Sequence, residues 1–437
     1  MQEDYTHLVN EIEEKMKSKH YCEDEISKIA FSLYGKLIPR PEFSLHNREI
    51  GVMEQFKSRQ HVKNLLDWAK VFSPLVQFLR NDLNLPLSRE KSQVDFIRFM
   101  KDKLDFFCTS IKQSSCYSII LNEQEIDTIQ KICDDLKSAL DSYYEGLPGS
   151  SYKALDDCMQ KLAGLNITPL LKGYGNQDTL YFKMRIGNSN NQYSRNQMFH
   201  IPFEHRGWVK TNRYSIPGLP CLYLGSTPLT CWEELGRPDL IRTHTSLFLP
   251  TENLRSFDIS IPPAVIADSL EEFLKLDCSD STTKSYKDMI RTYILHYPLI
   301  LCCSVRVLNP EDSFKPEYII PQLLLQWIQQ SEEYDGVAYF STKIQNYTKN
   351  NFMLYRNFAF PVQSINATGY CDKLDKKFNQ ITNAVPWEIF QLHKGSKETA
   401  PGQRKSELEL APNIKTRYGE TDFGRLETFL VHMLNPR

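Results

Sequence analysis

Three side chains of complementary chemistry fall within one short stretch of this chain, His205 to Leu235. Arg213 precedes a Pro217-Gly218 turn, Tyr223 lies in the run Cys221 to Leu224, and Glu233 and Glu234 follow Thr227-Pro228. The stretch reads as loop, strand, turn and helix. Thr227 is a good N-cap, and Pro228 suits the first helical position, where a missing N–H costs nothing. A cation, a polar aromatic and a carboxylate thus sit on three consecutive elements, where they could converge. Such a set offers a clamp for an anion, a ring for stacking and a negative charge. No H-E-x-x-H or comparable spacing occurs, so no metal is expected. Periodicity does not choose between the two glutamates: Leu229, Cys231, Trp232 and Leu235 form the buried helical face, and both acids lie off it.

These residues also carry a family resemblance. Arg213-Tyr214-Ser215-Ile216-Pro217-Gly218, Leu222-Tyr223-Leu224-Gly225 and Thr230-Cys231-Trp232-Glu233-Glu234 match, in order and spacing, the Arg and Glu motifs of the RES domain. Gly336-Val337-Ala338-Tyr339-Phe340-Ser341 matches the later Ser motif. The match covers roughly Leu180 to Val362, under half the chain, and the region before it falls outside the resemblance. It implies a fold like that of ADP-ribosyltransferases. It also implies an activity that consumes NAD⁺, by glycohydrolysis or phosphorolysis or by transfer of ADP-ribose to a macromolecule. A helix-turn-helix antitoxin is a common partner of such proteins. By motif, the site residues are Arg213, Tyr223, Glu234 and Ser341, and the alignment selects Glu234 over Glu233.

Physical chemistry accords with those roles. Nicotinamide leaves NAD⁺ as a neutral ring, so no strong general acid is needed, and the transition state places positive charge on the ribose. Glu234 could stabilise that charge. Arg213 could hold the diphosphate through paired hydrogen bonds. Tyr223 could stack on nicotinamide or ribose, and Ser341 could bond the ligand. Ser341 is not a triad nucleophile, since no G-x-S-x-G elbow surrounds it. A catalytically dead scaffold that binds a nucleotide or a partner is a reading of another class, and the intact residue set argues against it.

Other candidates stay open. Arg185 is either a second phosphate contact or an exposed strand cation. His200 and His205 either line the pocket or serve the structure. Tyr318 and Gln322 occur where the family often has a Tyr and a Gln, although, with Trp327, they also read as an ordinary core-and-surface helix. Lys343, Lys349 and Arg356 around Tyr347 and Tyr355 read as a solvated strand face rather than a nucleic-acid surface.

The elements behind this site are of two textures. Apolar spacing predicts helices over Tyr5 to Lys17, Glu23 to Leu37, His61 to Leu83 with a kink or break at Pro74, Val94 to Ile111 and Glu123 to Tyr144. A further helix is expected from a Ser150 or Ser151 cap to about Gly164. From about Thr179 short β-rich runs follow: Leu180 to Ile186, Cys221 to Gly225, Leu254 to Ile259, Leu299 to Val307, Gly336 to Phe340 and Phe352 to Phe360. Helices are expected near Ala264 to Leu276 and Pro321 to Gln330. Gly187 to Asn196 reads as a loop. The fold class is α+β: an all-helical region over 1–170, a mixed RES domain over 171–393, then a polar linker and an amphipathic segment, Phe423 to Leu434, over 394–437. The helical region carries no catalytic motif and reads as a regulatory, partner-binding or oligomerisation module. A homo-oligomer is expected from the helical bulk and the final apolar stripe.

Composition sets the limits. With 437 residues, 41% hydrophobic and 24% charged, the chain can bury a sizeable core, and its net charge of −2 offers no global field for nucleic acid or anionic lipid. The first residues are acidic and lack the apolar run of a signal peptide, and no run approaches the roughly 20 apolar residues that span a bilayer. The nearest, Pro298 to Val307, reads as a buried strand. The 11 cysteines contain no C-x-x-C pair. They read as reduced and mostly buried, which points to the cytoplasm.

Overall fold

The computed structural model describes residues 5–18, 23–37, 56–92, 95–113, 117, 120–165, 180–187, 193–269, 281–396, 404, 406–411 and 414–434. The first half is helical: α1 (Tyr5–Lys17), α2 (Glu23–Leu37), α3 (Arg59–Gln77), α4 (Phe96–Gln113), α5 (Glu123–Tyr144) and α6 (Pro148–Ala163). α5 starts at a reciprocal cap. Asn122 Oδ1 accepts the Glu125 amide and the Glu125 carboxylate accepts the Asn122 amide, each at 2.9 Å. Its buried residues, Ile129, Ile132, Cys133, Leu136, Ala139 and Leu140, recur every three or four positions. Pro74 does not split α3; a widened π-type turn, Phe78–Asp82, follows it instead.

The expected serine cap of α6 is corrected. The helix begins at Pro148 with Leu147 as its cap, because proline needs no amide partner in the first turn. Ser151 is buried, and its hydroxyl donates to the Ala139 carbonyl at 2.7 Å, pinning α6 to α5.

The second half holds an eight-stranded sheet: β1 (Tyr181–Ile186), β2 (Cys221–Gly225), β3 (Thr243–Leu249), β4 (Ser256–Ile259), β5 (Gly336–Phe340), β6 (Arg356–Pro361), β7 (Gln380–Ile381) and β8 (Val385–Pro386). The order is β4-β5-β6-β2-β1-β3-β7, with β8 also on β3. Among the described strands of this sheet, β4 and β5 pair in parallel and the other pairs are antiparallel. β1 pairs with β3 over its whole length but meets β2 at a single position, Phe182 opposite Gly225. The sheet is therefore nearly divided between β1 and β2. Helices α7 (Pro228–Glu234), α8 (Ser281–Cys303), α9 (Ile319–Gln330), α10 (Trp387–Ser396) and α11 (Asp422–Leu434) surround it.

Several sequence expectations change. The strand predicted over Leu299 to Val307 is instead the end of α8 as far as Cys303, with Pro298 inside the helix, followed by an isolated bridge from Val305 to Leu87. Leu299, Ile300, Leu301, Cys302 and Cys303 are all buried, and an apolar run buried all round has no period to tell strand from helix. Strand β3 was hidden because Thr243, His244, Thr245 and Ser246 look polar, yet all four are buried. Phe352–Tyr355 is a 3₁₀ turn, so β6 starts only at Arg356. The expected helix over Ala264 to Leu276 is seen as Pro263–Ser269, and 270–280 lies outside the described residues. Within the expected linker, Glu407–Ala411 (β9) pairs with Ile414–Arg417 (β10).

One core crosses the expected boundary near residue 170. It joins Leu136 and Leu140 of α5 to Ile294 of α8, Leu324 of α9 and Val337 of β5. Arg291 of α8 pairs with buried Glu125, its Nε at 2.6 Å from Oε1. The α11 stripe is covered by its own chain: Leu426 and Leu430 share a core with Phe182, Trp387 and Phe390. No helix among the described residues is long and apolar enough to cross a membrane.

Candidate active site

A cleft of about 730 Å³ opens where β1 and β2 part. Lys183, Arg213, Arg306, Lys315 and Lys343 line it, against one carboxylate, Glu234. That balance suits a ligand carrying several negative charges.

The short helix α7 delivers the carboxylate. Thr227 caps it by accepting the Thr230 amide at 3.0 Å, and Pro228 opens it. The Leu354 carbonyl accepts from Ser226 Oγ at 2.8 Å and Thr227 Oγ1 at 3.0 Å, so the start of α7 is tied to the turn before β6. Gly225 makes the close approach possible: a Cβ there would lie 2.9 Å from Cys231 Sγ. At the other end, Glu233 is buried and pairs with Arg237 Nε at 2.8 Å. Glu234 turns into the cleft, where Oε1 accepts from Asn357 Nδ2 of β6 at 2.7 Å. The structure thus separates two neighbours that periodicity could not.

Arg213 is held as firmly. Its guanidinium donates to the Cys303 carbonyl at 3.1 Å, the Val305 carbonyl at 2.8 Å and Thr342 Oγ1 at 3.1 Å. The Tyr318 ring lies 5.2 Å from its centre. Three donated bonds fix the plane and leave two N–H groups, one on Nη1 and that of Nε, for a ligand. Gln322 holds the turn that carries it, donating to the Asn212 carbonyl at 3.0 Å and the Ser215 carbonyl at 3.2 Å. Tyr318 therefore lines the cleft and Gln322 braces it, whereas Trp327 donates to Asp156 of α6 at 3.2 Å.

Tyr223 stands on β2 with its hydroxyl buried and, among the described residues, without a hydrogen-bond partner. Burial pushes its phenol well above the ordinary value. Ser341 is not among the cleft-lining residues. It is fully buried, its Oγ accepts the Lys343 amide at 3.2 Å, and its carbonyl accepts the Tyr347 hydroxyl at 2.6 Å. It shapes the turn that presents Thr342 and Lys343, both of which do line the cleft.

The RES domain model matches residues 184–370. A protein of Bacillus subtilis (strain 168) named "Putative toxin YopC" is 35% identical over 433 residues, covering 95% of each chain. The chain belongs to the RES family. No solved structure matches it. The similarity to the Bacillus protein runs through the helical half as well as the RES domain, so the two parts occur together in both chains.

A second hollow of about 630 Å³ adjoins the RES cleft and shares Lys183, Asn212 and Tyr223 with it. Arg185 faces this second hollow rather than the first; it is exposed, and its guanidinium lies 4.8 Å from the centre of the Tyr193 ring. His200 and His205 line it too. His200 serves the structure: Nε2 accepts the Cys371 amide at 2.9 Å, so Nδ1 carries the proton toward the Ile201 carbonyl at 2.7 Å. Burial brings its pKa down to about 4. His205 stacks on Trp208 at 4.1 Å, and Trp208 is 66% exposed.

Sequence reasoning missed Lys183. It stands between the two hollows and donates to the Phe199 carbonyl at 2.8 Å. Burial, and then the neighbouring Arg185, push its pKa down to about 7. The available signal was its position two residues from Arg185, on the same strand face. Arg306, Asn357 and the 303–318 segment as a whole were also missed, because they reach the cleft only through the tertiary fold.

Proposed function

We propose that this protein cleaves the nicotinamide–ribose bond of NAD⁺. The observation that carries the reading is Glu234, the one carboxylate among the described lining residues, fixed by Asn357 in a cleft to which five cations also contribute. The cations hold the diphosphate, and Arg213, fixed by its three donated bonds, is the most rigid of them. The C1′–N bond breaks with its electron pair going to the nicotinamide ring, which leaves neutral. Positive charge then develops on the ribose, and Glu234 offsets it. The negative end of α7 adds to the same potential. Water attacks C1′ and loses a proton, giving ADP-ribose; phosphate in its place gives the 1-phosphate. Two adjoining hollows joined at Lys183 suit a dinucleotide, with the nicotinamide riboside half beside Glu234 and the adenylate half beside Trp208.

Depletion of NAD⁺ accords with the toxin name of the Bacillus relative. A macromolecular acceptor is the alternative, and it differs only in what attacks C1′. The deciding experiment incubates the purified full chain with NAD⁺ and measures nicotinamide release with and without phosphate and cell extract. Release in buffer alone supports glycohydrolysis, and release only with phosphate supports phosphorolysis. Label transferred to a macromolecule in extract supports ADP-ribosylation. No release under any condition, from folded protein, rejects the proposal. Expression in a bacterial cell is expected to lower NAD⁺ and slow growth.

A further inference from the structure

One wall of the cleft is the segment 303–318. It supplies Arg306, Pro310, Lys315 and Tyr318 to the lining, and the carbonyls of Cys303 and Val305 to Arg213. Three separate contacts tie that segment to the helical half. Leu87 and Val305 form a parallel bridge: the Leu87 amide donates to the Ser304 carbonyl at 3.1 Å, and the Arg306 amide donates to the Leu87 carbonyl at 2.8 Å. Arg89 forms a buried ion pair with Glu317, whose Oε1 also accepts the Leu308 amide at 3.1 Å. Phe314 packs on Tyr143 at 6.3 Å and edge-on to Tyr144 at 6.0 Å, at the C-terminal end of α5. None of the described residues before Lys183 lines either hollow. The helical half therefore does not plug the site. Among the described residues it meets the lining of the site at the wall that orients Arg213.

We infer that the helical half is a working part of the cleft, with Leu87, Arg89, Tyr143 and Tyr144 as positioning residues that hold the 303–318 wall and, through it, Arg213. The predicted sign is opposite to autoinhibition: loosening the contacts lowers activity. The activity side of this inference rests on the NAD⁺ reading; the mechanical side does not.

The test uses the full chain and Phe314→Ala. Phe314 is 50% exposed and Tyr144 48%, so the change removes a rim contact without emptying the core. Glu317→Gln, which keeps an acceptor for the Leu308 amide but loses the ion pair, is the second variant. Amide exchange is followed over 304–318 and over β3 as an internal control, alongside KM and kcat for nicotinamide release. For Phe314→Ala, exchange over 304–318 is expected to quicken roughly two- to tenfold, as for the loss of one aromatic pair, with β3 unchanged. KM is expected to rise by a similar factor, and Phe314→Tyr to restore both. Unchanged exchange in both variants overturns the inference. So does a rise in activity, which would make the helices a restraint. If the wild-type chain releases no nicotinamide, the proposed reaction fails, and the exchange data still decide whether the wall is held from the helical half.

Discussion

The helical half and the sheet half bury polar groups to different ends. Among the described residues, the helical half buries Ser27, Arg89, Glu125 and Ser151. Each docks one segment on another: Ser27 on the Phe56 carbonyl, Arg89 on Glu317, Glu125 on Arg291, Ser151 on the Ala139 carbonyl. The sheet half also buries Arg356 against Asp258 at 2.9 Å, and it holds Asn357 against Glu234 at 2.7 Å in the lining of an open cleft. A buried polar group whose partners are all satisfied specifies packing, whereas one beside a cleft can also serve a ligand. The buried polar groups of the helical half thus join segments, and the candidate site gathers where β1 and β2 leave a gap.

The sharpest way to break this comparison is to remove residues 1–150. An independent helical module would leave a folded, active remainder. The shared core predicts the reverse, since the truncation strips α5 from α8 and uncovers side chains worth about 1.5–3 kcal/mol each. Soluble, cooperatively melting protein after truncation, judged by circular dichroism, would restore two independent modules.

Next in size is Glu234→Gln, expected to lower nicotinamide release by about 100-fold or more while leaving the melting temperature near wild type. Glu233→Gln is expected to keep most activity, because that acid faces Arg237 and not the cleft. Equal losses in the two variants would mean that the side-chain placement at the end of α7 is wrong.

Arg213→Ala should cost both halves of the argument. It leaves two carbonyls without a donor, about 1–3 kcal/mol of stability, and removes the diphosphate clamp. Arg213→Lys keeps the charge but not the fork, so it is expected to bind ADP-ribose better than the alanine variant and worse than wild type. Calorimetry with ADP-ribose and thermal melts would separate the two effects.

A smaller effect follows pH. Lys183 has its pKa lowered to about 7 in the folded chain, against an ordinary lysine value near 10.4 when unfolded. Between those values the unfolded chain holds the extra proton, so stability rises with pH through that window, and the penalty is fully present below about 7. Affinity for ADP-ribose should fall over the same rise as the cation is lost. Lys183→Met should flatten both slopes, and unchanged slopes would remove Lys183 from the site.

The smallest expected change is Ser341→Ala. Its hydroxyl accepts one amide in a buried turn, so a loss of about 1 kcal/mol in stability and a modest fall in kcat are expected. A loss as large as that of Glu234→Gln, at unchanged stability, would instead mean that Ser341 touches the ligand.

Much of this was legible in the order of the residues. Thr227-Pro228 announced the start of α7, and the recurring apolar positions of Glu123 to Tyr144 announced α5 almost to the residue. The spacing of Arg213, Tyr223 and Glu234 placed three functional groups on neighbouring elements. These are local facts, because capping and periodicity act within one element or across one turn. Other facts needed the assembled chain. The family motif selects Glu234 over Glu233, but the hold on its side chain in the cleft depends on Asn357, more than a hundred residues away. The inward burial of Ser341, the depressed pKa of Lys183 and the tie from Leu87 to Val305 depend on which elements meet. The run Leu299 to Cys303 is helix rather than strand, and because every side of it is covered no alternation of apolar and polar residues was there to be read. Sequence by itself determined which side chains were available and the elements that carry most of them. Only the tertiary structure decided which of them share one wall, because desolvation and charge pairing depend on distance in space and not along the chain.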